Sequence, residues 1–125
     1  MGDLTKDFSR HEFACRDADG ELCECGMDTV DYQLLRYLQD DFRDFFDARV
    51  TITSGCRCPA QNTRVTKNPN SRSQHLYGRG ADFVVDGVPA HIVQERARDI
   101  DVPGLGCYTG HTHIDSRTGR ARWTG

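Results

Sequence analysis

Two stretches decide how this chain is read: Ser73-Gln74-His75-Leu76-Tyr77-Gly78-Arg79-Gly80-Ala81-Asp82 and His111-Thr112-His113-Ile114-Asp115. Taken as a strand, the second alternates its side chains. His111, His113 and Asp115 then share one face, while Thr112 and Ile114 take the other. Two imidazoles and a carboxylate on one face are costly to bury unpaired, so they call for solvent, each other or a cation. In the first stretch Asp82 enters a strand whose next residues, Phe83, Val84 and Val85, read as buried. A carboxylate at a buried strand start also needs a partner. His75 lies in the preceding loop, and Gly78 and Gly80 let that loop fold back.

Working outward, the middle and end of the chain read as short strands. Val50-Thr51-Ile52-Thr53 is β-branched, Gly80–Val85 ends at the Asp86-Gly87 turn, and Cys107-Tyr108, 111–117 and 121–123 follow. Val102-Pro103-Gly104-Leu105-Gly106 reads as a break. Helices are expected mostly at the front. Ser9 and Glu12 have capping-box spacing, and Asp28 or Thr29 can cap the next element. Val30, Leu34, Leu35, Leu38, Phe42, Phe45 and Phe46 recur at helical spacing to about Ala48, and this stripe is expected in the core. Pro59 suits the first turn of a helix through about Val65, and Pro89 starts another that ends near Asp99. Residues 66–74 are polar around Asn68-Pro69-Asn70 and read as a loop. The expected fold class is α+β, with a small, mainly antiparallel sheet flanked by helices.

The 125 residues suit a single domain, 1–125. Only 37% of residues are hydrophobic and no apolar run approaches the roughly 18 residues of a membrane span. The start, Met1 to Asp7, lacks the basic and apolar pattern of a signal peptide, so a protein cytoplasmic as synthesised is expected. Net charge is -3, and Arg64, Lys67, Arg72 and Arg79 have no interleaved aromatics, so neither nucleic acid nor a membrane is an expected partner. A monomer is expected.

Zinc accepts imidazole nitrogen and carboxylate oxygen at about 2.0–2.2 Å, and three protein ligands plus water is its catalytic form. By spacing, His75, Asp82 and one of His111 or His113 would make such a site. The competing reading is a solvated histidine pair and a capping aspartate. His91, beside Pro89 at a helix start, reads as exposed. The six cysteines, Cys15, Cys23, Cys25, Cys56, Cys58 and Cys107, include no Cys-x-x-Cys. Free thiols are the favoured reading. The alternatives are disulfides, or a second, structural zinc on Cys15, Cys23 and Cys25 with His11, which stands one helical turn from Cys15.

Ser73-x-His75-x-x-Gly78-x-x-x-Asp82 followed by His113-x-Asp115-x-Arg117 resembles the zinc D-alanyl-D-alanine carboxypeptidase family, which includes VanX-type dipeptidases and phage endolysin-type peptidoglycan endopeptidases. Its fold is shared with hedgehog signalling domains. Phe8-Ser9-Arg10-x-Glu12-Phe13-Ala14-Cys15 is similar to the N-terminal segment of the small members. Thr51-Ile52-Thr53-Ser54-Gly55-x-Arg57-Cys58-Pro59 is similar to their Ser-Gly-Tyr-Arg segment, with Cys56 in the Tyr position, and Gly119–Trp123 to their last strand. The resemblance implies residues 1–27 as an N-terminal helix and Cys-containing loop, and 28–125 as a catalytic core. It implies one catalytic zinc on His75, Asp82 and His113. It implies Arg57 as a substrate contact that stabilises the developing oxyanion, and Ser73 at the substrate site. Many relatives carry a Glu three residues before the last zinc histidine as general base. Gly110 stands there, and His111 is the substitute that some related peptidases use. Asp115 would orient an imidazole or Arg117 from behind. The implied substrate is the peptidoglycan stem peptide or its cross-links, cut by a D-Ala-D-Ala carboxypeptidase or an endopeptidase. A phage or prophage lysis enzyme, reaching the wall once released, fits that substrate and the missing export signal. The alternative is a non-catalytic binding or structural protein on the same zinc fold, against which Arg57 and His111 both speak.

Overall fold

The computed structural model describes residues 2–125. Five strands form one sheet: β1 (Val50–Ser54), β2 (Gly80–Val85), β3 (Gly104–Cys107), β4 (Thr112–Asp115) and β5 (Ala121–Thr124). Their order across the sheet is β1-β2-β4-β3-β5. Every pairing is antiparallel except β3 with β5. The helices are α1 (Tyr32–Arg36), α2 (Pro59–Thr66) and α3 (Ala90–Asp99), with short 3-10 turns at Arg10–Phe13 and Gln74–Tyr77. This is the expected α+β class. Among the described residues no helix is long and apolar enough to cross a membrane.

One face of the sheet is apolar. Ala81, Phe83 and Val85 of β2, Leu105 of β3 and Ile114 of β4 meet Leu34, Leu38, Phe42, Val93 and Ala97 from the helices above. The Phe42 ring stands edge-on to Phe83 at 5.0 Å. Phe8 and Phe13 of the N-terminal segment are buried in the same core. The Ser9–Glu12 capping spacing is used as expected, with Ser9 N–H donating to Glu12 Oε2 at 2.7 Å.

Several boundaries differ from the sequence expectation. The cap of the long helix is Asp31, which accepts from Leu34 N–H at 3.2 Å, rather than Asp28 or Thr29. The helix then continues from α1 as a π-helical stretch over Tyr37–Asp44. Wider π winding advances each residue by less than an α-helix does, so a stripe drawn at α spacing drifts off the core. Phe42 stays buried, but Phe45 is 56% exposed, with the Arg96 guanidinium 3.6 Å over its ring. The segment read as a break at 102–106 is largely β3, whose two glycines hid its strand character from propensity. The strand expected over 111–117 is shorter, Thr112–Asp115.

The core position of Phe42 and the surface position of Phe45 should separate their energetics. Phe42→Ala should lower unfolding stability by about 3–5 kcal/mol. Phe45→Ala, losing one partly exposed cation–π contact, should cost about 1 kcal/mol or less. Equal losses in chemical denaturation would contradict the observed winding.

Candidate metal and substrate site

The other face of the sheet is polar, and strand register builds it. Asp82 of β2 pairs with His113 of β4 and with Ser54 of β1, while Gly80 pairs with Asp115. Asp82, His113 and Asp115 therefore project from the side opposite Phe83 and Ile114. His75 comes from the Gln74–Tyr77 turn. Ser73 caps that turn, its Oγ accepting from His75 N–H at 3.3 Å. Gly78 ends it at φ +68°, where a side chain would be strained and would strike the Thr29 backbone.

Three side chains converge on one point. Asp82 Oδ1 is 3.3 Å from His75 Nε2 and 2.9 Å from His113 Nδ1. The far nitrogen of each ring is held. His75 Nδ1 lies 2.7 Å from the Gly55 carbonyl, which can only accept, so it carries the hydrogen. His113 Nε2 lies 2.7 Å from Asp115 Oδ2 and donates to that carboxylate. Neutral rings with these tautomers turn both remaining lone pairs toward Asp82. One lone pair from each imidazole and one carboxylate oxygen, all within 4.8 Å of each other, form a donor set that fits a zinc ion in an open site. Of the two candidate histidines, His113 is the one in the cluster.

The same groups can share protons in place of a cation, and each then shifts the titration of the others. Burial alone would push the Asp82 carboxyl up, but hydrogen bonds with His113 and His75 outweigh it and hold it well below the usual carboxylate range. Burial lowers the His75 pKa, only partly offset by Asp82. Burial also opposes charge on His113, yet Asp115 and Asp82 reverse the balance and raise its pKa. The fully buried Asp115 is held low, against burial, first by Arg117 and then by His113. Arg117 reaches both Asp115 oxygens, Nε to Oδ1 at 2.8 Å and Nη2 to Oδ2 at 2.7 Å. Asp115 thus orients an imidazole and pairs with Arg117 at once.

Arg57 and His111 border the same carboxylate. Arg57 Nη2 is 3.7 Å from Asp82 Oδ2 and His111 Nε2 is 4.0 Å from it. Arg57 is buried, and its fork is aimed by Ser54 Oγ at 3.2 Å and Asn62 Oδ1 at 3.1 Å. The His111 side chain is one-third exposed and stacks on Tyr108, ring centres 4.3 Å apart.

Sequence reasoning missed Asn62, Tyr108, Trp123 and two glycines. Trp123 packs 4.9 Å from His113 and donates from Nε1 to Tyr108 Oη at 2.9 Å. Gly104 and Gly106 lie opposite Asp115 and His113 in β3. A Cβ at Gly104 would collide with the Asp115 carboxylate, and one at Gly106 with the Trp123 indole. A Gly-x-Gly spacing inside a strand is the signal that could have shown this. His11 stands apart from the cysteines. It lines an open cleft of about 590 Å³ that runs along β1 to Arg57 and Asp82.

His75→Ala and His113→Ala should each lose one zinc equivalent relative to the parent protein in elemental analysis. Asp115→Asn should keep that metal with about 10–100-fold weaker affinity. Gly104→Ala should weaken metal binding in the same direction, because it displaces the Asp115 carboxylate. Unchanged zinc content in both histidine variants would remove the site.

A scan against protein-family models matches residues 6–115 to Peptidase M15. No curated protein and no solved structure matches the chain. The matched span holds Arg57, His75, Asp82, His111, His113 and Asp115, and it bears out the resemblance carried by the two histidine–aspartate motifs. The chain belongs to the peptidase M15 family.

Proposed function

We propose that this peptidase is zinc-dependent and hydrolyses peptide bonds in peptidoglycan stem peptides or their cross-links, as a D-Ala-D-Ala carboxypeptidase or an endopeptidase. The observation that carries this reading is the meeting of four side chains at one carboxylate, that of Asp82. His75 and His113 converge with Asp82, while Arg57 and His111 stand within 4.0 Å of its other oxygen. His75, Asp82 and His113 would hold the ion. A zinc ion held there supplies Lewis acidity and a water acidified toward a pKa of about 7.

The chain's own groups do the rest. Arg57, aimed by Ser54 and Asn62, offers N–H donors to the oxygen on which charge develops. Its planar fork also suits a terminal carboxylate. His111 stacks on Tyr108 with part of its ring open to solvent, so it can pass a proton to the leaving amine and re-equilibrate with water. It takes the general acid–base role for which Gly110 has no side chain. Asp115 holds the His113 ring in the tautomer the site needs. Ser73 would contact substrate from the turn that carries His75.

The cleft favours an extended anionic peptide. Edge strand β1 forms one wall, and Arg16, Arg49, Arg57 and Arg64 line it against Glu12, Asp17 and Asp82. Stem peptides carry free carboxylates that such a cleft attracts, although the chain as a whole is acidic. Action at the cell wall after release, as in a phage-type lysis enzyme, follows from that substrate.

Digestion of purified peptidoglycan, with mass analysis of the fragments, tests the proposal. Loss of a terminal D-alanine marks the carboxypeptidase and loss of cross-linked dimers the endopeptidase. Arg57→Ala and His111→Ala should retain zinc while the rate falls about 10²–10³-fold each. Rates within about twofold of the parent would make both bystanders. A zinc-loaded parent protein that releases no fragment would point instead to a non-catalytic zinc fold.

A further inference from the structure

Away from the histidine–aspartate site, four cysteines meet that no step of peptide hydrolysis uses. Cys15, Cys23, Cys25 and Cys58 place their sulfurs within 4.8 Å of one another. The sequence offered His11 as a partner for the first three, but the fourth member is Cys58, from the segment that joins β1 to α2. We propose that these four thiolates bind a second zinc ion, a closed structural site that anchors the N-terminal hairpin to the segment bearing Arg57.

The backbone builds the cluster deliberately. Residues 15–23 form a small hairpin, bridged at Arg16 and Leu22, with Cys23 N–H donating to the Cys15 carbonyl at 3.0 Å. Asp17 Oδ1 closes its tip by accepting from the Asp19 and Glu21 amides at 2.9 and 3.1 Å. Cys23-Glu24-Cys25-Gly26 then turns sharply. Gly26 sits at φ +71° and donates to the Cys23 carbonyl at 3.2 Å, so both thiols of the turn face inward. Cys58 stands at the N-terminal boundary of α2, immediately after Arg57.

Distances and partners fit a tetrathiolate. Zinc–sulfur bonds of about 2.3 Å in a tetrahedron put sulfurs about 3.8 Å apart, and Cys23 Sγ to Cys58 Sγ is 3.9 Å. Three of the sulfurs already accept N–H groups. Cys58 N–H donates to Cys15 at 3.3 Å, Met27 N–H to Cys25 at 3.3 Å, and Gln61 Nε2 to Cys23 at 3.8 Å. Such donors delocalise the negative charge that four thiolates bring. Apolar packing does not explain the group, since Cys25 is exposed and Cys23 half-buried, yet both point at the buried pair. On binding, each thiol releases its proton to solvent, and the ion gains four sulfur ligands with no open position.

The consequence is positional. Cys56 N–H donates to the Phe13 carbonyl at 2.8 Å and Arg57 N–H to the His75 carbonyl at 3.0 Å. A tetrathiolate at Cys58 completes three successive anchors around the Arg57 backbone.

Elemental analysis of the full chain, purified under reducing conditions, tests the site. The parent should carry two zinc ions per chain. Cys25→Ser and Cys23→Ser, both at accessible positions, should carry one, and His113→Ala should lose the other. With cobalt substituted for zinc, the parent and His113→Ala should show a near-ultraviolet sulfur-to-cobalt charge-transfer band that Cys25→Ser lacks. A parent metal count that both serine variants leave unchanged overturns the proposal. So does an intact mass lowered by disulfide formation, or iron in place of zinc. One zinc lost in the serine variants but kept in His113→Ala would uphold this site and sink the catalytic one.

Discussion

A carboxylate held almost out of water between two imidazoles and a guanidinium is the constraint on which the rest of this molecule depends. The Asp82 side chain is only 16% exposed. Burying an anion there is costly unless several partners share its charge. His75, His113 and Arg57 are those partners, and each must itself be held. The Gly55 carbonyl holds His75, Asp115 holds His113, and Asn62 with Ser54 holds Arg57. Asp115 then needs Arg117, and its carboxylate needs the empty space above Gly104. Removing any outer member leaves an inner charge less compensated, so the polar face behaves as one network rather than as separable pairs.

Much of that network was legible in the sequence, because its spacing is short-range. Alternation along a strand puts His113 and Asp115 on one face whatever lies around them, and the strand beginning at Gly80 has the same bounds in the structure. What escaped was set by tertiary geometry. Asn62 looks like an ordinary helix residue until Arg57 is seen beside it. Tyr108 and Trp123 come to the site through β3–β5 pairing that no local pattern announces. β3 itself was hidden because its glycines make room rather than contact. Phe45 was misplaced because a π-helical stretch does not keep the α-helical period on which the core assignment relied.

The N-terminal segment is more than a lid on the core. Phe13 lies against Gly55 so closely that a Cβ at that glycine would strike the Phe13 backbone. Phe8 and Phe13 anchor the segment below, and the hairpin of residues 15–23 stands beside the start of α2. The segment therefore supplies one wall of the cleft while bracing the loop from Gly55 to Cys58. The buried Cys56 turns inward from that loop. Apolar burial and polar positioning meet within four consecutive residues.

Strand register links the two faces of the sheet. Asp82 opposes His113 for the same reason that Ala81 opposes Ile114: one alternation serves both sides. A slip of one residue between β2 and β4 would put Asp82 among Phe42 and Leu105 and expose Phe83 to the cleft. Both errors are expensive, one through a buried unpaired charge and the other through lost apolar burial. The hydrophobic core thus does not merely support the polar site. By fixing which residues of β2 and β4 face inward, it fixes to within one hydrogen-bond length where a carboxylate and an imidazole from distant parts of the chain must meet.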